Sequence, residues 1–194
     1  MLFVLIVLLL VASVFVLLMK KNRESLCLLG MCCSLMVQFS GILIFIAKKG
    51  GYSRSIIHFL FFSQALRNKL QYLFITLDAL GYVIAVGRYL FPLFLLESAL
   101  QYSMIGWIRR HPDIQKWICA LPAATLAVYF PPVFRFIVNQ WPVMHSVLVE
   151  GSYWWITAYV AAALVLMIQE LFAITMRFCR QQFVGIVGCH LALS

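Results

Sequence analysis

The chain has 194 residues, of which 64% are hydrophobic and 11% are charged, and its mean hydropathy is +1.00. A soluble domain is about 45 to 50% apolar and about 25% charged, so this composition excludes a water-soluble globule. The 15 lysines and arginines give a net charge of +9, but they fall in short clusters between apolar runs. That placement indicates membrane topology signals and not a nucleic-acid surface. We therefore expect an integral membrane protein surrounded by lipid, with no nucleic-acid partner.

Cysteine spacing and known motifs give no sign of a metal site or a catalytic centre. The six cysteines mostly lie inside apolar runs, form no CxxC pair and have no histidine at a zinc-finger spacing. The sequence also has no phosphate-binding loop, no GxSxG or HExxH motif and no dinucleotide fingerprint. We therefore predict buried thiols, no cofactor and no enzymatic activity for this chain.

The first two apolar runs, Met1 to Met19 and Ser25 to Ala47, are each predicted to cross the membrane as a helix. A span needs about 20 mostly apolar residues, and a continuous rather than alternating apolar pattern indicates a helix. Basic residues follow the first run instead of preceding it, so a cleaved secretory signal is not expected. The first run is predicted as an uncleaved span with its N-terminus outside the cell.

The next segment, Ser55 to Leu66, has an apolar core about half a membrane long and basic residues on both sides. A short basic segment with three phenylalanines favours a helix that lies in the membrane interface. A partly inserted, re-entrant segment is the alternative.

Three further spans are predicted within Gly81 to Trp107, within Trp117 to Ile137, and from Tyr153 to Met176, with tryptophans near their ends. A last apolar run begins at Phe183 and stops at Ser194, which suggests a sequence truncated inside a helix. The predicted fold class is therefore all-α, with one membrane domain over residues 1–194. It would contain about five full transmembrane helices, one interfacial helix and the start of a sixth span.

Basic residues in the connections predict the orientation. With the N-terminus outside, the internal connections hold eight lysines and arginines and the external segments hold six. This excess favours an extracellular N-terminus.

Four ionisable residues fall inside apolar runs and are candidates for sensing a signal: Arg88, Glu97, Glu170 and His190. A charge at the centre of a membrane helix costs at least about 2.5 to 3.5 kcal/mol, so such groups tend to face the bundle interior. Glu97, Glu170 and His190 are predicted to lie toward the cytoplasmic side, where they could form a proton- or ligand-sensing cluster. The alternative is a set of packing contacts or carboxylates that extend to the interface.

Arg88 is predicted in the outer half of the third span, with Gln38 of the second span at a similar depth. It is nine residues from Glu97, which places the two on opposite helix faces about 13 Å apart. An arginine at this depth could bind an anionic group that arrives from outside. It could equally extend to the interface or bond to helix carbonyls.

Prolines interrupt several of the apolar runs and are candidate hinges: Pro92, Pro122, Pro131 and Pro132. Each removes a helix hydrogen bond and can kink a span, which neighbouring helices tolerate in a membrane. The alternative is that these kinks only shape the packing.

Two stretches carry a resemblance to a known family. One is Lys69 to Ser103, KLQYLFITLDALGYVIAVGRYLFPLFLLESALQYS, and the other is Leu121 to Phe134, LPAATLAVYFPPVF. They resemble the N-terminal seven-helix membrane region of bacterial sensor histidine kinases, through the LQY entry, the proline within the third span and the LP and PP pairs of the fourth. The chain departs from that family in having Arg88 and Glu97 where apolar residues are expected. It also has no phosphoacceptor histidine region and no ATP-binding domain.

The resemblance implies a sensory input module in a bacterial plasma membrane that responds to an unknown extracellular or membrane ligand. Its output would be a cytoplasmic kinase, or another output domain, beyond Ser194 or on a partner, and a homodimer is possible by analogy. The competing hypothesis is a small transporter or transporter subunit in which Arg88, Glu97 and Glu170 line a polar path. A structural membrane subunit without a ligand is a third possibility.

Overall fold

A computed structural model describes the backbone of residues 2–18, 22–50, 54–61, 63–102 and 112–192. Side chains are described for the same residues except 24, 54, 55, 57, 58, 102, 112–115 and 177–192. Over these ranges the chain is all-helical, as its composition and continuous apolar runs predict, and no strand is present in them.

Eight helices follow one another in the described residues. They are α1 (Leu2–Leu18), α2 (Arg23–Lys49), α3 (Arg54–Phe61), α4 (Gln64–Gln71), α5 (Leu77–Tyr102), α6 (Pro112–Tyr129), α7 (Pro131–Gln140) and α8 (Pro142–Ala192).

Helix α5 lies at the centre of the bundle. Its most extensive contact is with α2, and α8, α6 and α7 pack on its other side. Helix α1 packs against α2, away from α5. On the far side of α5, the Tyr159 hydroxyl of α8 donates a hydrogen bond of 2.8 Å to the Ile118 carbonyl of α6.

Small residues bring α2 and α5 unusually close together. A Cβ on Gly87 would overlap the Ser34 carbonyl oxygen and would lie 2.7 Å from the backbone nitrogen of Gln38. A Cβ on Gly30 would lie 2.7 Å from the Phe94 ring. Membrane helices gain packing from such close approach because lipid supplies no hydrophobic driving force between them.

The two ends of the bundle can be told apart by their contacts. Leu43, Ala47 and Phe61 form a buried cluster against Leu2 and Ile6, so α1 begins where α2 ends and α3 lies. Helix α5 begins at this same end, since Lys48 Nζ donates a hydrogen bond of 2.7 Å to the Leu73 carbonyl just before it. We call this end the proximal face and the opposite end, where α2 begins and α5 ends, the distal face.

In the part of the chain that the structure describes, three helices are long and apolar enough to cross a membrane: Ser25–Lys49, Leu77–Gln101 and Pro142–Met176. A fourth is present only if Lys116–Tyr129 and Pro131–Gln140, which meet at a bend of 73°, count as one span. The prediction of about five full spans is therefore too high for the described residues. Helix α1 is apolar but has only 17 residues, and Pro131 and Pro132 break the expected fourth span because proline cannot continue the hydrogen-bond ladder.

Two further boundaries differ from prediction. The predicted interfacial helix Ser55 to Leu66 is two helices, because α3 ends at Phe61 and the Ser63 hydroxyl caps α4 by accepting a 3.2 Å hydrogen bond from the Ala65 N–H. The predicted break between the fifth span and a sixth is absent, and α8 is one helix of 51 residues. The segment RFCRQQ after Met176 contains no proline or glycine, and charge alone does not end a helix.

The close contact at Gly87 generates a first prediction. Gly87→Ala should lower the free energy of unfolding by about 1 to 3 kcal/mol, because the added methyl group meets backbone that cannot rotate away. Gly81→Ala on the same helix has nothing within 4 Å of the new Cβ and should raise that free energy by about 0.5 to 1 kcal/mol. Unfolding in detergent micelles, followed by circular dichroism, measures both. Equal stability of the two variants would contradict the contact.

Candidate functional site

A cavity of about 370 Å³ opens in the proximal half of the bundle. Its walls are the first three turns of α5, the junction between α6 and α7, and the start of α8. This volume lies within the range of small-molecule sites, about 300 to 1,000 Å³. We call this cavity the proximal pocket.

Arg88 lines the proximal pocket and lies further from the start of α5 than Asp78, the other charged lining residue of this helix. Because Gly87 faces α2, the 100° step between helical residues turns Arg88 and Tyr89 toward the opposite side of α5. The half-buried guanidinium carbon lies 4.2 Å from the centre of the Tyr153 ring, in cation–π contact. Among the described residues, no carboxylate forms an ion pair with Arg88.

Hydroxyl groups lie beside Arg88 in the same wall. Tyr89 is 3% exposed, and its hydroxyl interacts with the hydroxyls of Ser152 and Tyr129. Ser152 also donates a hydrogen bond of 2.7 Å to the Val149 carbonyl within α8. This part of the pocket wall therefore combines the Arg88 cation with several neutral hydroxyl groups.

The bend between α6 and α7 forms the aromatic wall of the pocket. Tyr129 ends α6, Pro131 begins α7, and Phe134 stacks on Tyr129 with ring centres 5.1 Å apart and planes 15° apart. Without the break at the two prolines, these rings would lie five residues apart on a continuous helix and would not face each other in this way. Of the candidate hinges, Pro131 thus contributes directly to the pocket.

An ion pair between Asp78 of α5 and Arg135 of α7 lies at the mouth of the pocket. The two side chains are 52% and 68% exposed, respectively. An exposed pair of this kind contributes at most about 1 kcal/mol and is weakened by salt. It gives Asp78 a partner, so among the described residues Arg88 is the charge of the pocket wall without an ion pair.

Gln38 lies level with Gly87, next to Arg88 in the sequence, but on the other side of α5. Its backbone nitrogen and Cβ face Gly87, and it is not among the residues that line the proximal pocket. The structure thus brings Gln38 and Arg88 to one level without placing them in one site.

A second polar group lies near the distal face. Gln101 Nε2 donates a hydrogen bond of 3.2 Å to the Cys27 thiol, and Glu97 lies beside the same thiol. Glu97 also acts electrostatically on Cys119 of α6. Three helices therefore contribute to this group.

Glu97 and Glu170 do not share a level in the bundle. Ala99 and Leu100 of α5 pack against Ala163 of α8, and Glu170 lies seven residues beyond Ala163, about 10 Å further along the helix. His190 lies outside the described side chains. The predicted sensing cluster of Glu97, Glu170 and His190 stays a prediction.

Apolar and aromatic side chains separate the proximal pocket from the distal polar group. Leu93 and Leu96 are buried on α5 between the levels of Arg88 and Glu97. Trp155 lies on the distal side of the pocket, and its ring centre is 5.5 Å from that of Tyr89 and 5.2 Å from that of Tyr159. Pro92 and Pro122 are also fully buried, inside α5 and α6, and neither ends its helix.

Metal binding has no support in the part of the chain that the structure describes. No group of three or more histidine, cysteine, aspartate or glutamate side chains there could hold a metal ion.

Several residues of the pocket were not anticipated from the sequence: Asp78, Tyr89, Tyr129, Phe134, Arg135, Ser152 and Tyr153. Of these, Tyr89 had a signal, since it adjoins the embedded Arg88. Outside the pocket, Gln101 of the distal polar group also had a sequence signal, since it lies four residues from Glu97 and so on the same helix face. The others come from distant helices and depend on the packing.

Comparison with protein-family models, with curated proteins and with solved structures finds no match for this chain. The relation to histidine kinase sensor regions therefore remains an expectation from the resemblance.

The cation–π contact predicts a measurable coupling. In a double-mutant cycle of Arg88→Met and Tyr153→Leu, the coupling in the free energy of unfolding should be about 0.5 to 1 kcal/mol. The matched cycle pairs Arg88→Met with Trp154→Leu, because Trp154 is the next residue along, is 77% exposed and does not line the pocket. Its coupling should be near zero. Chemical unfolding in micelles measures both cycles, and equal couplings would count against the contact.

Proposed function

We propose that the chain is a membrane-embedded sensory input module. In this proposal the proximal pocket receives an extracellular or membrane-borne ligand, and α8 passes the change to an output domain or partner on the distal side. A bacterial plasma membrane with the N-terminus and the proximal face outside, and a cytoplasmic histidine kinase or similar effector as the output, complete the proposal.

The observation that supports this function most strongly is the length and position of α8. Ser152 and Tyr153 of α8 form part of the pocket wall, and the same helix continues without a break to Ala192. Its 51 residues correspond to about 76 Å, more than twice the thickness of the hydrocarbon layer. A change at the pocket can therefore act on the distal side through one rigid element.

The form of the pocket favours a receptor over a transporter. A transport path needs polar groups that continue through the membrane. Here the described residues between Arg88 and the Glu97 group include the buried Leu93 and Leu96, with Trp155 below the pocket. The two polar groups are therefore separate, and only the proximal one lines the cavity.

Signalling requires two arrangements of the bundle with different affinity for the ligand. In the observed arrangement the Arg88 guanidinium packs on Tyr153 of α8. A ligand that draws Arg88 away from this ring, or that fills the space between α5 and α8, would alter how α8 packs at its first turns. The tilt or rotation of α8 would then differ between the two states.

A side chain that occupies the pocket should imitate a ligand. Gly81 lines the pocket and has nothing within 4 Å of its Cβ position, so Gly81→Phe would place a ring in the cavity. Hydrogen exchange of the α8 backbone beyond residue 165, in lipid nanodiscs, should change by about fivefold or more, a typical size for coupling between sites.

Gly151→Phe is the matched control. Gly151 also has open space around it but does not line the pocket, so the distal α8 amides should exchange as in the native chain. If Gly81→Phe and Gly151→Phe leave these amides equally unaffected, the sensory function is contradicted.

A further inference from the structure

We propose that the proximal pocket binds an amphiphile with one anionic head group, a phosphate or a carboxylate, and an apolar chain. The head group would pair with Arg88, and the apolar part would lie along Tyr129 and Phe134. This inference rests on the proposed function, for which such a molecule would be the signal.

The Arg88 guanidinium is available to an anion. Its guanidinium carbon lies over the Tyr153 ring, 4.2 Å from the ring centre, and within the described residues the group forms neither a hydrogen bond nor an ion pair. A guanidinium carries five N–H donors, so a contact with one ring leaves donors available to an anion. Phosphate and carboxylate oxygens match that fork of donors in a two-point contact.

The remaining charges of the pocket favour one anionic group on the ligand. Asp78 is already paired with Arg135 at the mouth. Arg88 is thus the one lining cation without a carboxylate among the described residues, and a half-buried cation in an apolar helix is costly until an anion joins it. The hydroxyls of Tyr89 and Ser152 lie beside it in the same wall and carry no charge.

The aromatic wall favours an apolar body on the ligand. Tyr129 and Phe134 are stacked and line the cavity together with Pro131. An inorganic anion would leave this surface uncovered, whereas an alkyl chain would bury it. Phe130 and Phe136, which neighbour lining residues in the sequence, are 48% and 62% exposed, so α7 also offers apolar surface outside the pocket.

Dodecyl phosphate is a suitable probe for this chemistry. With the full chain in phosphatidylcholine nanodiscs, native mass spectrometry should show saturable binding of one dodecyl phosphate per chain. Arg88→Gln should weaken that binding about tenfold or more. Lys69→Gln removes the same charge from the exposed surface of α4, outside the pocket, and should bind like the native chain.

Two comparison ligands test the two halves of the proposal. Inorganic phosphate has the anionic group without the alkyl chain, and dodecanol has the alkyl chain without the anionic group. Both should bind at least about tenfold more weakly than dodecyl phosphate. Equal binding of inorganic phosphate would overturn the role of the aromatic wall. Equal binding of dodecyl phosphate by the native chain and by Arg88→Gln would overturn the role of Arg88.

The source of the anion is distinguished by changing the lipid. If phosphatidylglycerol in the nanodisc displaces dodecyl phosphate from the native chain but not from Arg88→Gln, the natural ligand class is an anionic lipid of the bilayer. If phosphatidylglycerol does not displace dodecyl phosphate, the natural ligand class is an amphiphile delivered from water. Both results support an anionic head group bound by Arg88.

Failure of this inference can be told apart from failure of the proposed function. Absence of dodecyl phosphate binding, together with an effect of Gly81→Phe on distal α8, would reject the ligand class alone. Binding through Arg88 that leaves the hydrogen exchange of distal α8 unchanged would support the ligand class and reject the sensory role.

Discussion

The close approach of α2 and α5 at Gly87 is the contact on which the rest of the bundle depends. A side chain at this position would meet the backbone of Ser34 and Gln38, so the contact fixes which face of α5 turns toward α2. The helical step then directs Arg88 and Tyr89 to the other side, where α8 and the α6–α7 bend lie. The pocket therefore follows from a packing requirement on the opposite face of the same helix.

The position of the charges within α5 follows from the low polarity of the membrane. An embedded charge is tolerated where it turns inward and finds polarisable or hydrogen-bonding groups. Arg88 finds the Tyr153 ring and nearby hydroxyls, while Glu97 finds a thiol near the distal face. Buried leucines and Trp155 lie between these levels, which separates the pocket from the distal polar group. The long α8 extends from the pocket to beyond the level of the distal polar group.

The helical, membrane-spanning character of the chain was predictable, because continuous apolar runs with few charges have one stable solution in lipid. The number of spans could not be predicted in the same way. Apolar runs alone do not show that the Pro131–Pro132 pair bends a span by 73°, or that RFCRQQ continues a helix. For the candidate site, embedded charge singled out Arg88, but its surroundings depended on which helices pack together. Tyr129, Ser152 and Tyr153 come from separate parts of the sequence, and no local pattern relates them to Arg88.

The central claim is that the proximal pocket opens to one face of the membrane only. Thiol labelling at Ala85, which lines the pocket, tests it most directly in an otherwise cysteine-free chain reconstituted in vesicles of both orientations. Ala85→Cys should react with a membrane-impermeant maleimide from the proximal face alone. Ala99→Cys, at a position that is 1% exposed between α5 and α8, should react from neither face. Labelling of Ala85→Cys from both faces would contradict the account.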